Sequence, residues 1–193
     1  MGRKGYSKEK IFTGAIQLFN LRGVLETGVS EIAEVVGIPK GSFYNHFKSK
    51  DEFIREAILF HTESVLEYNK KFLVHSKLPI RQRILSLYKD KIKLAKHQML
   101  LNENCLINWT SLEMGGKSVL INQTLHECYK KIKNQILETM NLSETPLTKL
   151  NLSNDDLVEF LESSWRGTLL SMKGQCSSKP ILSFQKFLIE LFH

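Results

Sequence analysis

A chain of 193 residues, 42% hydrophobic and 24% charged, can bury the core of one large domain or of two smaller ones, and its 4 prolines and 11 glycines are too few for a loop-rich all-β protein. Its 27 Lys and Arg against 20 Asp and Glu leave a formal charge of +7, a balance that suits nucleic acid, an anionic membrane or an acidic partner. No run of about 18 apolar residues is present to cross a bilayer. Residues 1–20 carry Lys8, Glu9, Lys10, Gln17 and Asn20 where a signal peptide needs an apolar stretch. Cys105, Cys128 and Cys176 are odd in number and far apart, as expected for thiols in a reducing cytosol. The expectation is a cytoplasmic protein with no membrane partner.

The apolar periodicity is helical nearly everywhere, and no internal repeat or low-complexity tract interrupts it. Ile11, Ala15, Leu18 and Phe19 recur at three and four residues and place a helix over roughly 7–22, with Gly23 as its stop. A short helix then carries Val29, Ile32, Ala33 and Val36, with Gly28 at the N-cap position and Glu31 three residues on. Gly37 ends it, and Pro39 fits the start of a third, very short helix from Lys40 to about Phe47. Ser49 and Glu52 form a capping box for a long helix that holds Phe53, Ile54, Ala57, Ile58, His61, Val65, Tyr68 and Phe72 along one side. Further helices are expected over about 80–97, 105–114 and 117–137, followed by a loop over 141–152. Ser153 or Asn154 then caps a helix with Asp155 and Asp156 in its first turn and an apolar side running through Leu157, Leu161, Trp165, Leu169 and Met172. The Gly174–Pro180 stretch breaks it, and the chain ends on a helix apolar on most sides, a solubility hazard unless it packs on its own domain and on a second subunit. The fold class is all-α, with about nine helices. A helix-turn-helix head over 1–50 precedes a larger helical body over 51–193.

The segment that carries function is Val29–Lys50. Two short helices joined by a glycine-containing turn are the grammar of a helix-turn-helix. Phe43 and Phe47, four apart, point into a small core with Ile32, Val36 and Phe19. That leaves Lys40, Gly41, Ser42, Tyr44, Asn45 and His46 around the outside, a face of hydrogen-bonding groups suited to phosphates and base edges in a major groove. Gly41 has no side chain to hold the helix away from DNA.

Gly37–Glu52 (Gly-Ile-Pro-Lys-Gly-Ser-Phe-Tyr-Asn-His-Phe-Lys-Ser-Lys-Asp-Glu) resembles the third helix and the start of the fourth helix of the TetR family of bacterial repressors, and the resemblance runs over about residues 8–57. It implies a homodimer with a DNA-binding head and a ligand-sensing body. Position by position, it implies that Ser42, Asn45 and Lys40 reach bases. It further implies that Thr27, Tyr44, His46 and Lys50 hold phosphates, Lys50 at the N-terminus of the long helix, where anions are favoured. Arg3 and Lys4 would add backbone or minor-groove contacts. Gly28 stands where the family usually has Ser or Thr, which moves the expected contact to Thr27.

In the body, Asn104-Cys105-Leu106-Ile107-Asn108-Trp109 is similar to a Gly-Cys-Leu segment of TetR-like repressors that respond to electrophiles and oxidants. Trp165–Lys173 resembles the penultimate helix of the same subgroup, with Asn104 and Arg166 replacing a Gly and a Glu. On the residues alone, Asn102 or Asn104 can cap a helix with Cys105 in its first turn, where the positive helix end favours a reactive thiolate. Lys173 is a candidate neighbour for that thiol. The alternative is that Cys105 is a small buried hydrophobe, as free Cys usually is, with Cys128 and Cys176 as bystanders. The second reading of the body is a reversible apolar pocket for a small molecule. Trp109, Tyr88, Met114, Trp165 and Met172 would line it, although each also reads as core packing. Lys89, Lys91, Lys93 and Lys96 read as a solvated face.

An enzyme is not expected: HExxH and GxSxG are absent, Gly115-Gly116-Lys117 lacks the spacing of a phosphate loop, and no cofactor or metal motif is present. A helical interaction module that binds no DNA accounts for the last helix but not for the Lys40–His46 face. The favoured reading is a repressor, homodimeric through the last two helices, that grips a near-palindromic operator in successive major grooves about 34–36 Å apart. A small-molecule inducer or modification of Cys105 would shift the long helix and release the DNA.

Overall fold

The computed structural model describes residues 8–193; Arg3, Lys4 and Ser7 lie outside the described residues. Among the described residues there are nine α-helices and no strand: α1 (Lys8–Arg22), α2 (Val29–Val35), α3 (Lys40–His46), α4 (Lys50–Leu73), α5 (Ile80–Leu100), α6 (Leu106–Met114), α7 (Val119–Met140), α8 (Asn154–Gln175) and α9 (Lys179–Leu191).

Their ends follow local chemistry. Gly23 and Gly37 adopt φ of +89° and +72°, a backbone that side-chain-bearing residues rarely take, and so stop α1 and α2. Glu31 Oε2 accepts the Gly28 N–H at 2.8 Å, so half of a capping box forms even though Gly28 has no side chain to complete it. At α4, Ser49 Oγ accepts the Glu52 N–H at 3.1 Å, and the Glu52 carboxylate reaches back to the Lys48 N–H at 2.8 Å, one residue beyond the usual box. Ser153 caps α8 by accepting the Asp156 N–H at 3.0 Å. α8 runs through Gly174 and stops only at Cys176, which is left-handed at φ 47°, and Pro180 lies inside the first turn of α9 rather than ahead of it. α5 and α7 each extend three residues past their expected ends.

The chain forms two compact units. The first comprises the residues up to Glu63 together with Glu103–Cys128; the second comprises Ser64–Asn102 together with Tyr129–His193. In the first, α1 packs on α2 and α6, and α2 on α3. Its core is a cluster of aromatic rings centred on Phe53, whose centroid lies 4.8 Å from Phe47, 5.3 Å from Phe43, 5.6 Å from Phe12 and 6.2 Å from Phe19. In the second unit α8 packs on α9, and α5 on both. Tyr88, Trp165 and Phe184 meet there with centroids 5.6–6.4 Å apart.

Candidate nucleic-acid interface

α3 is only seven residues long and is held from beneath. Phe43 is fully buried, and its ring contacts Phe47 and Phe53 at 5.4 and 5.3 Å. Burying this residue fixes which way the rest of α3 faces. Lys40, Gly41, Tyr44, Asn45 and His46 are exposed and Ser42 is half-buried. Tyr44 keeps 57% of its surface accessible, while its ring meets Phe43 edge-to-face at 5.4 Å. Nothing lies within 4 Å of where a Gly41 side chain would begin, so this point of the helix is open to close approach.

Of the expected phosphate contacts, Thr27 differs in the structure and Lys50 is partly committed to the protein. Thr27 is a correction: it is completely buried, and its hydroxyl donates to the Gly23 carbonyl at 2.6 Å. That hydroxyl serves the turn after α1 and has no surface to offer a phosphate. A Thr hydroxyl four residues after a helix-ending Gly is able to close back on that carbonyl, and the turn here brings the two together. Lys50 is half-buried at the start of α4, and its ammonium donates to the Leu25 carbonyl at 3.0 Å. Burial lowers its pKa, opposed by the charges of Asp51, Glu113 and Glu31. One of its three N–H groups is committed to Leu25, which leaves two for an incoming anion.

The α1–α2 turn draws on residues that no sequence pattern connects to it. Arg22 pairs with Glu31 at 2.5 Å. Glu113, on α6, accepts the Val24 and Leu25 N–H groups at 2.6 and 3.1 Å. Nothing in the sequence announces this contact, because the partners are 88 and 89 residues apart.

The candidate sensor residues divide between the two units. Cys105, Trp109 and Met114 belong to the first, where Cys105 and Trp109 are half-buried and Met114 is buried. Cys105 is the N-cap of α6 rather than a first-turn residue, which corrects the expected cap. Asn104 instead turns toward α1 and donates through Nδ2 to the Asn20 carbonyl at 2.7 Å, and Asn102 is left-handed at φ 54° in the turn after α5. Tyr88, Trp165, Met172 and Lys173 belong to the second unit; the first three are buried and Lys173 is exposed.

Lys91 is a further correction, since it does not belong to a solvated face. Its ammonium sits 2.8 Å from Glu162 and lies over the Tyr88 and Trp165 rings at 4.6 and 5.1 Å. Tyr88 donates its hydroxyl to the same carboxylate oxygen at 2.7 Å. Burial pushes the Glu162 carboxyl up. The Lys91 charge, the hydrogen bonds from Lys91 and Tyr88 and the Arg166 charge outweigh that push and hold it below its ordinary range. Burial, then the charge and hydrogen bond of Glu162, raise the Tyr88 phenol well above its usual value against the opposing charge of Arg166, so it remains a neutral donor. The guanidinium of Arg166 lies 4.4 Å from the centre of the Tyr129 ring. Among the described residues no helix is long and apolar enough to cross a membrane and no group of three metal-ligating side chains converges.

Residues 11–57 match the family model of bacterial regulatory proteins of the tetR family. The HTH-type transcriptional repressor DhaR of Mycobacterium sp. strain GP1 is 28% identical over 178 residues, covering 90% of this chain and 86% of that protein. Among solved structures, a TetR transcriptional regulator from Legionella pneumophila superposes with a TM-score of 0.82 over the whole of both chains at 18% identity. The reduced form of Escherichia coli NemR superposes at 0.78 over 96% of each chain at 22% identity. The two structural likenesses establish the fold.

Proposed function

We propose that this chain, which belongs through its N-terminal domain to the TetR family of bacterial regulatory proteins, is a sequence-specific DNA-binding transcriptional repressor. The observation that carries the reading is α3. A single buried Phe43 presents Lys40, Gly41, Ser42, Tyr44, Asn45 and His46 outward as one hydrogen-bonding face. Ser42, Asn45 and Lys40 read base edges, with Gly41 admitting the duplex closely, while Tyr44, His46 and the two remaining N–H groups of Lys50 hold phosphates.

The working form is a homodimer. α8 and α9 expose Phe160 and Phe187 at 47% and 44% of their surface, and the two rings meet at 5.5 Å. Apolar side chains clustered in this way favour a second copy over water. Two heads then engage a near-palindromic operator in successive major grooves.

Release follows either modification of Cys105 or binding of a small apolar inducer. Cys105 favours the first route: it is half-buried at the N-terminal end of α6, whose dipole supports a thiolate, and α6 belongs to the same compact unit as α1–α3.

Fluorescence anisotropy against duplexes selected by the protein from a random pool tests both parts. Tight binding that weakens steeply with salt is expected, and failure to enrich any duplex would refute the DNA-binding reading. A thiol-reactive electrophile should then release the wild type and spare Cys105→Ser. Equal behaviour of the two proteins would move the trigger to a non-covalent ligand.

A further inference from the structure

Polar contacts from Asn104, just before α6, and from Glu113, near its end, reach the head from far along the chain. At the start of α6, the backbone N–H and the Nδ2 of Asn104 both donate to the Asn20 carbonyl, at 2.9 and 2.7 Å. At its other end, Glu113 Oε2 accepts the N–H groups of two consecutive residues, Val24 at 2.6 Å and Leu25 at 3.1 Å. The carbonyl of the same Leu25 accepts the Lys50 ammonium at 3.0 Å. Leu25 is therefore gripped from both sides, its N–H by α6 and its C=O by the first residue of α4. All of these groups lie in one compact unit.

We infer that Glu113 is a positioning residue for DNA binding, acting on phosphate through Leu25 and Lys50. The inference rests on the reading of the chain as a DNA-binding protein with Lys50 on the backbone. A single carboxylate oxygen serves two N–H donors, which a charged acceptor does better than a neutral amide. An Asp, one methylene shorter, would fall short of the turn. Holding the Leu25 peptide holds the acceptor of the Lys50 ammonium, and that fixes where the two remaining N–H groups of Lys50 point. Anything that displaces α6 thereby moves Lys50, so the helix that begins beside Cys105 has its own contact with the DNA-binding surface.

The full-length wild type, Glu113→Ala, Glu113→Gln, Lys50→Ala and the doubles that combine each Glu113 change with Lys50→Ala are titrated by anisotropy against the wild-type-selected duplex. The titrations span about 50–200 mM salt, and circular dichroism reports the folded fraction. Glu113→Ala should bind about tenfold more weakly and lose about 0.9 from the slope of log K against log salt, the share of one phosphate contact. Lys50→Ala should show a similar loss, and the double should lose no more than Lys50→Ala alone. Glu113→Gln, which keeps the shape and loses the charge, should lose less, and its cycle with Lys50→Ala measures the same coupling if Glu113→Ala does not fold. Independent losses that multiply in the doubles, or an unchanged salt slope in the Glu113 variants, would overturn the inference. Failure of the wild type itself to select a duplex would instead overturn the reading on which it rests.

Discussion

Replacing Lys91 with Met tests the physics of the second unit most sharply. The Lys91 and Glu162 side chains are only 13% and 5% exposed, and the pair closes at 2.8 Å over the faces of Tyr88 and Trp165. Met keeps most of the aliphatic stem against those rings and removes the charge alone. Glu162 then retains the hydrogen bond from Tyr88 and the weaker influence of the Arg166 charge, in a site that burial makes hostile to an anion. Removing one partner of such a pair costs about 3–5 kcal/mol, because the other charge is left uncompensated. For a chain of this length that is roughly 6–20 °C of Tm.

The sign of the pH dependence is the more discriminating readout. In the wild type the Glu162 carboxyl is depressed, so its stabilising contribution is present above the unfolded carboxyl pKa and is lost as pH falls through the folded value. Without Lys91, burial is opposed only by the Tyr88 hydrogen bond and the Arg166 charge, and the folded pKa moves up. The penalty is then largest near pH 8 and shrinks as pH falls and Glu162 takes up a proton. Urea denaturation followed by circular dichroism, at intervals from about pH 8 to 5, measures the difference between the two proteins. A difference below about 1 kcal/mol, or one that stays constant across that range, would refute the account of a buried charge held by Lys91. Lys91→Met combined with Glu162→Leu and Tyr88→Phe should recover much of the loss, since apolar replacement of all three leaves neither an orphaned charge nor an unpaired buried hydroxyl.

The remaining predictions concern the first unit. Gly23→Ala should cost more than Gly37→Ala. Both residues have positive φ, worth about 1–2 kcal/mol of strain, but a Cβ on Gly23 would fall 2.0 Å from Glu113 Oε1 and 2.9 Å from Trp109 Nε1, whereas Gly37 has open space; chemical denaturation of the pair decides it. Phe43→Ala should destabilise by about 3–5 kcal/mol, because the side chain is fully buried among aromatic rings. Asn45→Ala, exposed on the same helix, should change stability by less than about 0.5 kcal/mol while abolishing preference for the selected duplex; loss of stability in Asn45→Ala would argue against a surface role. Burial holds His61 down to about pKa 4. An unfolded His takes up its proton near 6.5, so stability is full above that pH and declines between 6.5 and 4 by at most about 3 kcal/mol. His61→Phe should flatten that decline in pH-dependent denaturation.

Much of the site was legible in the sequence because α3 is governed by short-range geometry. Phe43 must point into the core beside the half-buried Phe47 that follows the helix, and once Phe43 is buried the exposure of Tyr44, Asn45 and His46 follows. The caps at Ser49 and Ser153 were legible for the same reason, each bonding to a backbone N–H three residues away. Thr27 was misplaced as a phosphate contact because a hydroxyl suits an anion and a neighbouring carbonyl equally well, and only the fold of the turn chose Gly23.

Lys91 likewise has the periodicity of a surface residue, and only the arrival of Glu162, 71 residues later, draws it inward. The grip of Glu113 on Val24 and Leu25 spans nearly half the chain and leaves no trace in local pattern. Spacing within a helix turn therefore determined the existence of the helices, the caps at Ser49 and Ser153 and the outward face of α3, while several other helix ends were set by the fold. Packing between helices far apart in sequence determined which polar groups remain available, because a buried donor or charge takes whichever partner the fold brings within about 3 Å.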